Sequence, residues 1–328
     1  MKTFLTHFLI VVLAIAFAPA CRFSPPLPSR SVLRIGHFPN ITHAQAVVAH
    51  ALSRQGKGWF EERLGPDVEI QWFIYNAGPS AMEAIFARSI DLAYVGPNPA
   101  LTAYVKSAGE EIRVIAGAAN GGAALVVQPD GGLTSAADFK GRKIASPQLG
   151  GTQDVAARAW LTKAGLKITQ LGGDAFVIPT QNADQLALFT RKAIDGAWTV
   201  EPWVTRLETE AGGKILVEQK DAVTTLLVSS VKLLKDQPAL VKKFATAHAE
   251  LTDWINKNPE EAQKLLIAEL EAETKAKFKP EVVAKAWSRI AFTNEISLAP
   301  IQSLVKEAQS VGFLKGADDL SKLVEIPK

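Results

Sequence analysis

Short apolar runs alternate with longer amphipathic stretches along this chain from Val32 onward. Short apolar runs between turns predict β-strands, and apolar residues recurring every three or four positions predict helices. Gly, Pro, Asn and Thr are concentrated in the turns between them. This alternation is typical of parallel sheets covered by helices, so it predicts an α/β fold. The predicted strands cover 33–36, 68–75, 92–95 and 112–116, and the predicted helices cover 44–52, 80–87 and 100–105.

The same order of elements recurs further along the chain. Residues 90–94, Ile-Asp-Leu-Ala-Tyr, resemble residues 194–198, Ile-Asp-Gly-Ala-Trp, at an offset of 104 positions. Residues 34–36 resemble residues 143–145 at an offset of 109. The shared order and spacing predict a duplicated layout of strands and helices, and the alternative is that any two α/β halves look alike at this level of detail.

The two halves are expected to be joined by two extended crossings, because predicted strands at 123–128 and 223–229 flank the second half. The last hundred residues show helical patterns and no strand pattern. A proline opens each of these four helical stretches, at 238, 259, 280 and 300, which is a favourable position for a helix start. We therefore predict a first lobe made of residues 32–122 plus 225–328 and a second lobe made of 123–224.

Residues 1–20 have the pattern of a signal peptide. Lys2 precedes an apolar run of 11 residues, and small residues precede the expected cleavage point. The alternative is a transmembrane anchor, but spanning a bilayer takes about 20 apolar residues. We therefore expect an exported protein of the periplasm or of the outer face of the cytoplasmic membrane.

Cys21, the only cysteine of the chain, follows the predicted signal peptide directly. This placement resembles the lipid-modified cysteine of bacterial lipoproteins, although Ala18 stands where that pattern usually has leucine. It predicts a lipid anchor at Cys21 and an extended, proline-rich tether over residues 21–31. The alternative is plain cleavage that releases a soluble periplasmic protein.

Composition and motifs exclude several function classes. The 328 residues carry a net charge of +3, which suits neither nucleic acid binding nor membrane adsorption beyond a lipid anchor. The chain contains no nucleophile elbow, phosphate-binding loop or zinc protease motif. His43 and His50, seven positions apart, are too sparse for a metal site without further ligands. We therefore expect no enzyme activity, no metal and no cofactor.

Five turns between predicted strands and helices carry the candidate binding chemistry. In open α/β sheets such turns lie at the carboxyl ends of the strands, where ligands bind. Each offers a helix start with unpaired N–H groups and short polar side chains, which suits an oxygen-rich anion such as a sulfonate. The alternative for any single turn is ordinary helix capping. The turns are 36–43, 76–80, 96–99, 149–154 and 181–184.

A sixth element at the same edge is Val200-Glu201-Pro202-Trp203. Glu201 offers a carboxylate for an amine on the ligand, and Trp203 offers a wall for the pocket or a contact between the lobes. Trp198 lies inside a predicted strand, which favours packing in the core.

These loops closely resemble the aliphatic sulfonate, taurine and nitrate group of ABC transporter substrate-binding proteins. The similarity rests on Ile35-Gly36-His37-Phe38-Pro39-Asn40-Ile41-Thr42-His43, on 73–84, 91–100 and 147–155, and on 195–203 with its Glu-Pro-Trp. It implies a two-lobed type II periplasmic-binding-protein fold with two crossover strands and a helical C-terminal region. The ligand-binding positions that it implies are Asn40, Thr42, Ser80, Asn98, Thr152, Gln153, Glu201 and Trp203.

The resemblance also implies the partners. The cleft closes on a small anionic ligand, and the closed form is presented to an ABC permease that works with a cytoplasmic ATPase. We expect a monomer that binds an aliphatic sulfonate, taurine-like or an alkanesulfonate. Open alternatives are nitrate, bicarbonate, an aromatic sulfonate, a thiamine precursor, or a role as a ligand sensor for a signalling receptor. Related pyrimidine-synthesising enzymes use a cysteine-rich segment that this chain lacks.

Overall fold

The computed structural model describes residues 30–316 and 319–327. The predicted signal peptide, Cys21 and all but the last two residues of the predicted tether lie outside the described residues. Within the described ranges, no helix combines the length and the apolar character that crossing a bilayer requires.

The described residues form an alternation of strands and helices, and the predicted α/β class is confirmed. The strands are β1 (Ser31–His37), β2 (Val68–Ile74), β3 (Leu92–Val95), β4 (Ile112–Gly121), β5 (Ala123–Val127), β6 (Lys143–Ser146), β7 (Ile168–Thr169), β8 (Gly172–Gly173), β9 (Phe176–Pro179), β10 (Gly196–Val200), β11 (Lys214–Gln219), β12 (Val223–Ser230) and β13 (Ile290–Phe292). The α-helices are α1 (Ala44–Arg54), α2 (Trp59–Leu64), α3 (Gly78–Phe86), α4 (Pro97–Lys106), α5 (Thr152–Lys163), α6 (Asn182–Thr190), α7 (Trp203–Ala211), α8 (Val231–Asp236), α9 (Pro238–Lys257), α10 (Pro259–Thr274), α11 (Pro280–Trp287) and α12 (Leu298–Ser310).

Two larger sheets organise the chain into two lobes. The first sheet has the strand order β13-β4-β12-β3-β1-β2, and the second has the order β11-β5-β10-β6-β9. The central strands are buried on both faces because helices cover both sides, as β3 illustrates: Leu92 and Tyr94 pack into one hydrophobic cluster and Ala93 and Val95 into another. We call the part built on the first sheet the first lobe and the part built on the second sheet the second lobe.

Strand pairing shows the internal duplication directly. In the first sheet, Ile35 and Gly36 of β1 pair in parallel with the first two residues of β3, Leu92 and Ala93. In the second sheet, residues 144 and 145 of β6 pair in parallel with residues 196 and 197 of β10. These partners are related by the same offsets, 109 and 104, that relate the two halves of the sequence. The repeated blocks therefore occupy equivalent places in the two lobes.

The chain crosses between the sheets twice, as predicted. Gly122 alone separates β4 from β5, and residues 220–222 separate β11 from β12. Gly121 and Gly122 both have left-handed backbones, with φ of 77° and 71°. A Cβ on Gly121 would lie 2.5 Å from the carbonyl oxygen of Arg289. The first crossing therefore requires glycine for both its conformation and its space.

The C-terminal region is mainly helical. Leu251, Leu266 and Val283, from α9, α10 and α11, are fully buried in the core of the first sheet. Prolines 238, 259 and 280 are the first residues of these helices, as the sequence predicted, whereas α12 begins two residues before Pro300.

One expectation about this region was wrong. The last hundred residues do contain a strand, because β13 pairs in antiparallel register with the side of β4 that is not paired with β12. Three residues are too few to display the alternation by which a strand is recognised in a sequence. The strand forms because the unpaired edge of β4 offers it backbone hydrogen bonds.

Candidate functional site

A cavity lies between the two lobes, at the carboxyl ends of their parallel strands. Its enclosed volume is about 30 Å³, well below the ~300 Å³ at which small-ligand sites in proteins typically begin, so the two lobes stand close together around it. Its polar wall consists of Asn40, Thr42, His43, Asn76, Thr152, Gln153, Asn182 and Thr224, and its apolar wall includes Phe38, Ala77, Pro99, Pro147 and Val200.

Helices from both lobes begin at this cavity. The first residues of α3, α5 and α6, which are Gly78, Thr152 and Asn182, all line it, and so does Gly96, which precedes α4. None of these four helices is capped by the side chain of the residue that precedes it, although Thr152 Oγ1 of the second lobe accepts a hydrogen bond from the Asn98 N–H in the first turn of α4. The residues that precede α3, α4 and α5 are alanine or glycine, which have no polar side chain to offer.

The alternative that these turns serve only for side-chain capping therefore does not hold for α3 and α5. A helix N-terminus carries unsatisfied N–H groups and about half a positive charge. Several such termini pointing at one cavity form a binding site for an anion without requiring a cationic side chain.

The described residues that line the cavity include no Asp, Glu, Lys or Arg. The one titratable side chain is His43, which is 2% exposed. Burial lowers the pKa of His43 well below 6.5, and the nearby His37 lowers it further. His43 is therefore neutral at physiological pH. Its Nδ1 has no hydrogen-bond partner among the described residues, and a buried polar atom of this kind usually meets a ligand or water.

Asn40 is held in place by contacts from the second lobe. Its Oδ1 accepts hydrogen bonds from Trp203 Nε1 at 3.0 Å and from Asn182 Nδ2 at 3.4 Å. Asn182 is itself oriented by Thr199, whose hydroxyl donates to Asn182 Oδ1 at 3.0 Å. Because Oδ1 of Asn40 is occupied, the group that this side chain can offer a ligand is its Nδ2 donor.

The lobes are in contact across the cavity. Asn76 Nδ2 donates to the carbonyl oxygen of Pro147 at 3.0 Å, and the backbone N–H of Asn98 donates to Thr152 Oγ1 at 3.4 Å. A Cβ on Gly96 would lie only 2.4 Å from Thr152 Oγ1. Glycine at position 96 is therefore what permits this close approach of the two lobes.

Four of the eight predicted binding residues line the cavity, namely Asn40, Thr42, Thr152 and Gln153. Ser80 and Asn98 lie just outside the lining. The Ser80 hydroxyl donates to the carbonyl oxygen of Ala77 at 2.9 Å, at the start of α3. Asn98 is 1% exposed, and its side-chain amide has no partner among the described residues.

Glu201 and Trp203 lie behind the cavity. The buried Glu201 carboxylate accepts hydrogen bonds from the backbone and hydroxyl of Thr205 and from Arg289 Nη1 at 2.8 Å. Burial raises the pKa of Glu201, and Arg289 opposes that shift. Trp203 packs against Phe278 in the core of the first lobe. The Glu201 carboxylate is therefore engaged and does not face a ligand.

Several lining residues were not selected from the sequence as binding residues. Asn76 and Asn182 belong to the turns 76–80 and 181–184, which the sequence did identify. The asparagine in each of these turns is the signal that could have found them. His43 belongs to the turn 36–43, but it was considered from the sequence as a metal ligand together with His50. For Thr224, at the second crossing, the sequence offers no such signal.

The chain is similar to known binding proteins. Residues 27–270 match the model of the NMT1-like family. A Brucella abortus protein named as a binding protein is 26% identical over 319 residues, covering 95% of this chain and 91% of that protein. An Escherichia coli protein named for aliphatic sulfonate binding is 27% identical, covering 62% of this chain and 59% of that protein. A nitrate/nitrite-binding protein of Nostoc is 31% identical, covering 44% of this chain and 28% of its own.

Solved structures support the predicted fold. The alkanesulfonate-binding protein from Xanthomonas axonopodis pv. citri, bound to MOPS, superposes with a TM-score of 0.71 at 21% identity, covering 90% of this chain and 97% of that one. A Candida albicans protein described as having the generic periplasmic binding protein fold superposes with a TM-score of 0.68 at 14% identity, covering 90% of this chain and 96% of that one. The predicted two-lobed periplasmic-binding-protein fold is confirmed.

Proposed function

Since this chain belongs to the NMT1-like family, and since helices from both of its lobes open on one cavity, we propose that it is the extracytoplasmic solute-binding component of an ABC importer. The family and the relatives named above are substrate-binding proteins and not enzymes. The function that fits the cavity is reversible capture of a small organic anion, which leaves the ligand chemically unchanged.

The uncapped helix N-termini are the reason for proposing an anionic ligand. The termini of α3, α5 and α6 supply positive partial charge from both lobes, and the lining side chains are neutral donors. A sulfonate is large, weakly hydrated and oxygen-rich, so many neutral donors suit it better than a few fixed cations would. The apolar wall, which includes Phe38 and Val200, is suited to a short alkyl chain.

An alkanesulfonate without an amine fits this cavity better than taurine. The ammonium group of taurine calls for a carboxylate, and the described lining residues include none. The nearest candidate from the sequence, Glu201, is fully buried and already bonded to Thr205 and Arg289. Binding taurine would therefore leave its ammonium group without a charged partner, which is unfavourable in a partly dry site.

Closure of the cleft would couple binding to transport. Asn40 and Thr42 approach the ligand from the first lobe, and Thr152 and Gln153 approach it from the second. A ligand that bridges the two sets binds the closed state better than the open state, and only such differential affinity shifts the equilibrium. We assign Trp203 an indirect role, because it holds Asn40 in orientation.

Calorimetry against a panel of ligands tests the proposal. The panel contains ethanesulfonate, taurine, an arylsulfonate, nitrate, bicarbonate and an aminopyrimidine thiamine precursor. We expect ethanesulfonate to bind more tightly than taurine. Preferential binding of nitrate would support the alternative that the similarity to the Nostoc protein suggests. Binding of only an uncharged or cationic compound would contradict an anion site.

Site variants locate the binding event. Thr152→Ala and Thr42→Ala each remove one neutral donor from opposite walls, so we expect each to weaken binding by about tenfold without loss of folding. Thr246→Ala is the matched control, because Thr246 is exposed on α9 and its hydroxyl donates to the carbonyl of Lys242 within the same helix. Unchanged affinity in both site variants would place the ligand elsewhere.

The proposal also includes where in the cell the protein works and how it is held there. Export through residues 1–20 and acylation of Cys21 would tether the binding body to the membrane that holds the permease. The mass of the mature N-terminus distinguishes an acylated cysteine from plain cleavage, and Cys21→Ala should release the protein into the soluble fraction. A neighbouring permease and ATPase gene would favour import, and a neighbouring sensor kinase gene would favour ligand sensing. The lobe boundaries 32–122 plus 225–328 and 123–224, and the monomeric state, are part of this proposal.

A further inference from the structure

Three metal-ligating atoms from distant parts of the chain meet behind the cavity. His37 Nε2, at the end of β1, lies 3.1 Å from His50 Nδ1 on α1. Glu273 Oε1, on α10, lies 3.2 Å from His37 Nε2 and 3.1 Å from His50 Nδ1. The three atoms therefore form a nearly equilateral triangle.

The size of this triangle matches a metal coordination shell. In a tetrahedral zinc site with bonds of about 2.0–2.2 Å, neighbouring ligand atoms lie about 3.3–3.5 Å apart. The observed triangle of 3.1–3.2 Å is one face of such a tetrahedron, slightly contracted. A zinc ion seated above it would need the three atoms to separate by only a few tenths of an ångström.

Hydrogen bonds alone cannot account for the close contacts among His37, His50 and the two glutamates. His50 Nδ1 faces three groups at 3.1 Å: His37 Nε2, Glu273 Oε1 and Glu269 Oε1. Each imidazole nitrogen carries at most one hydrogen, whereas a cation is attracted to the lone pairs of all its neighbours at once. In addition, Glu273 Oε2 is buried without a hydrogen-bond partner among the described residues.

The burial of these three residues and the charge around them also favour a metal ion. The side chains of His37 and Glu273 are 0% exposed, and the His50 side chain is 9% exposed. Trp72 covers the site by stacking on His50, with ring centroids 5.1 Å apart. Glu269 lies one turn before Glu273 on α10, and its carboxylate is bonded to Arg54 Nε at 2.7 Å. The two buried carboxylates carry two negative charges and Arg54 supplies one positive charge, so an additional cation would be stabilised here.

We propose that His37, His50 and Glu273 form a site for a divalent transition metal, with Zn²⁺ as the best match to two imidazoles and a carboxylate. Glu269 Oε1, 3.1 Å from His50 Nδ1, adds a second carboxylate next to this site. The ion would fasten the end of β1 to α1 and α10. His37 directly precedes Phe38 of the cavity wall, so the metal would also fix the start of the loop that carries Asn40 and Thr42.

This site differs from the expectation of no metal that the sequence suggested. That expectation considered His43 with His50 on one helix, whereas the partners of His50 come from β1 and from a glutamate 223 positions away. The proposal does not depend on the identity of the transported ligand.

Metal retention by the chain purified without a polyhistidine tag tests the proposal. After treatment with a chelator and dialysis against Zn²⁺, elemental analysis should find one zinc per chain. His50→Gln and Glu273→Gln should abolish this retention, and Glu269→Gln should weaken zinc affinity by about 10- to 100-fold. His248→Gln is the matched control, because His248 is also buried but contacts Tyr94 and the carbonyl of Gly117; it should retain one zinc.

A second measurement uses the unaltered chain, in case a site variant fails to fold. Co²⁺ in place of Zn²⁺ should give the intense visible absorption of a tetrahedral site, and added Zn²⁺ should remove it. Failure of the unaltered chain to retain zinc, or to show this spectrum with Co²⁺, would overturn the proposal. Full zinc retention by Glu273→Gln would overturn it as well. Zinc binding with no anion binding would leave this site standing and reject only the proposed transport ligand.

Discussion

Substitution of Gly96 by alanine should impair closure of the cleft without impairing folding. Gly96 has φ −65° and ψ 153°, a conformation that alanine adopts without strain. The added Cβ would lie 2.4 Å from Thr152 Oγ1 on the opposite lobe, at least about 1 Å inside ordinary contact. The clash exists only when the lobes are together, so it raises the free energy of the closed state alone.

The size of the effect follows from this overlap. Forcing an extra methyl group into a packed site costs about 1–3 kcal/mol. Each 1.4 kcal/mol is about a factor of ten in affinity, so Gly96→Ala should weaken ethanesulfonate binding by about 5- to 150-fold. The free energy of unfolding of the open, ligand-free protein should remain unchanged within about 0.5 kcal/mol.

A double-mutant cycle identifies the clash. Thr152→Ala removes Oγ1 and leaves the Thr152 Cβ, which lies 3.3 Å from the position of the added methyl group, so Gly96→Ala should have little further effect in that background. Calorimetry gives the affinities, and small-angle scattering of the liganded protein gives the degree of closure. Gly131→Ala is the control, because the nearest atom to its Cβ would be 3.4 Å away.

Two results would refute this reasoning. Ethanesulfonate binding by Gly96→Ala that equals that of the unaltered protein would show that the lobes do not approach at this point in the bound state. A penalty of the same size in the Thr152→Ala background would show that the added methyl group acts through something other than Thr152.

Two further predictions concern stability. His248 is fully buried and neutral, and burial lowers its pKa to about 4 while the carbonyl of Gly117 opposes that shift. Because the unfolded state takes up the proton first, at about pH 6.5, the free energy of unfolding should fall by up to about 3 kcal/mol between pH 6.5 and 4. His248→Gln should flatten this part of the denaturation profile. Arg289→Met should lower the free energy of unfolding by about 3–5 kcal/mol, because it leaves the buried Glu201 carboxylate unpaired. Adding Glu201→Gln should restore part of that loss in the same urea titration, and no restoration would contradict the pairing.

The sequence predicted those features that depend on local patterns. The pairing of β1 with β3 and of β6 with β10 follows the repeat that residues 34–36, 90–94 and their counterparts display. The turns that line the cavity were found because glycine and asparagine at the end of a buried strand leave few other structures possible. The fold and the edge at which the cavity lies were therefore accessible from the sequence.

Features that depend on residues distant in the sequence could not be predicted from the sequence. Glu201 and Trp203 stand at the correct edge of the sheet, but Arg289, 88 positions further along, engages the carboxylate, and Phe278 helps to bury the indole. His50 acquires its partners from β1 and α10, so spacing along its own helix carried no information about them. Side-chain direction at such positions is decided by packing between elements that are remote in the sequence.

The two short crossings also determine an order of folding. All five strands of the second sheet lie between Ala123 and Gln219, whereas the first sheet pairs Asn120 of β4 with Val223 of β12 and is completed by β13 at residues 290–292. The second lobe therefore has all its strands as soon as the chain reaches Gln219. The first lobe must wait for contacts between residues more than a hundred positions apart, and such non-local contacts form slowly. We expect the inserted lobe to fold first and to bring the ends of β4 and β12 together for the lobe that surrounds it.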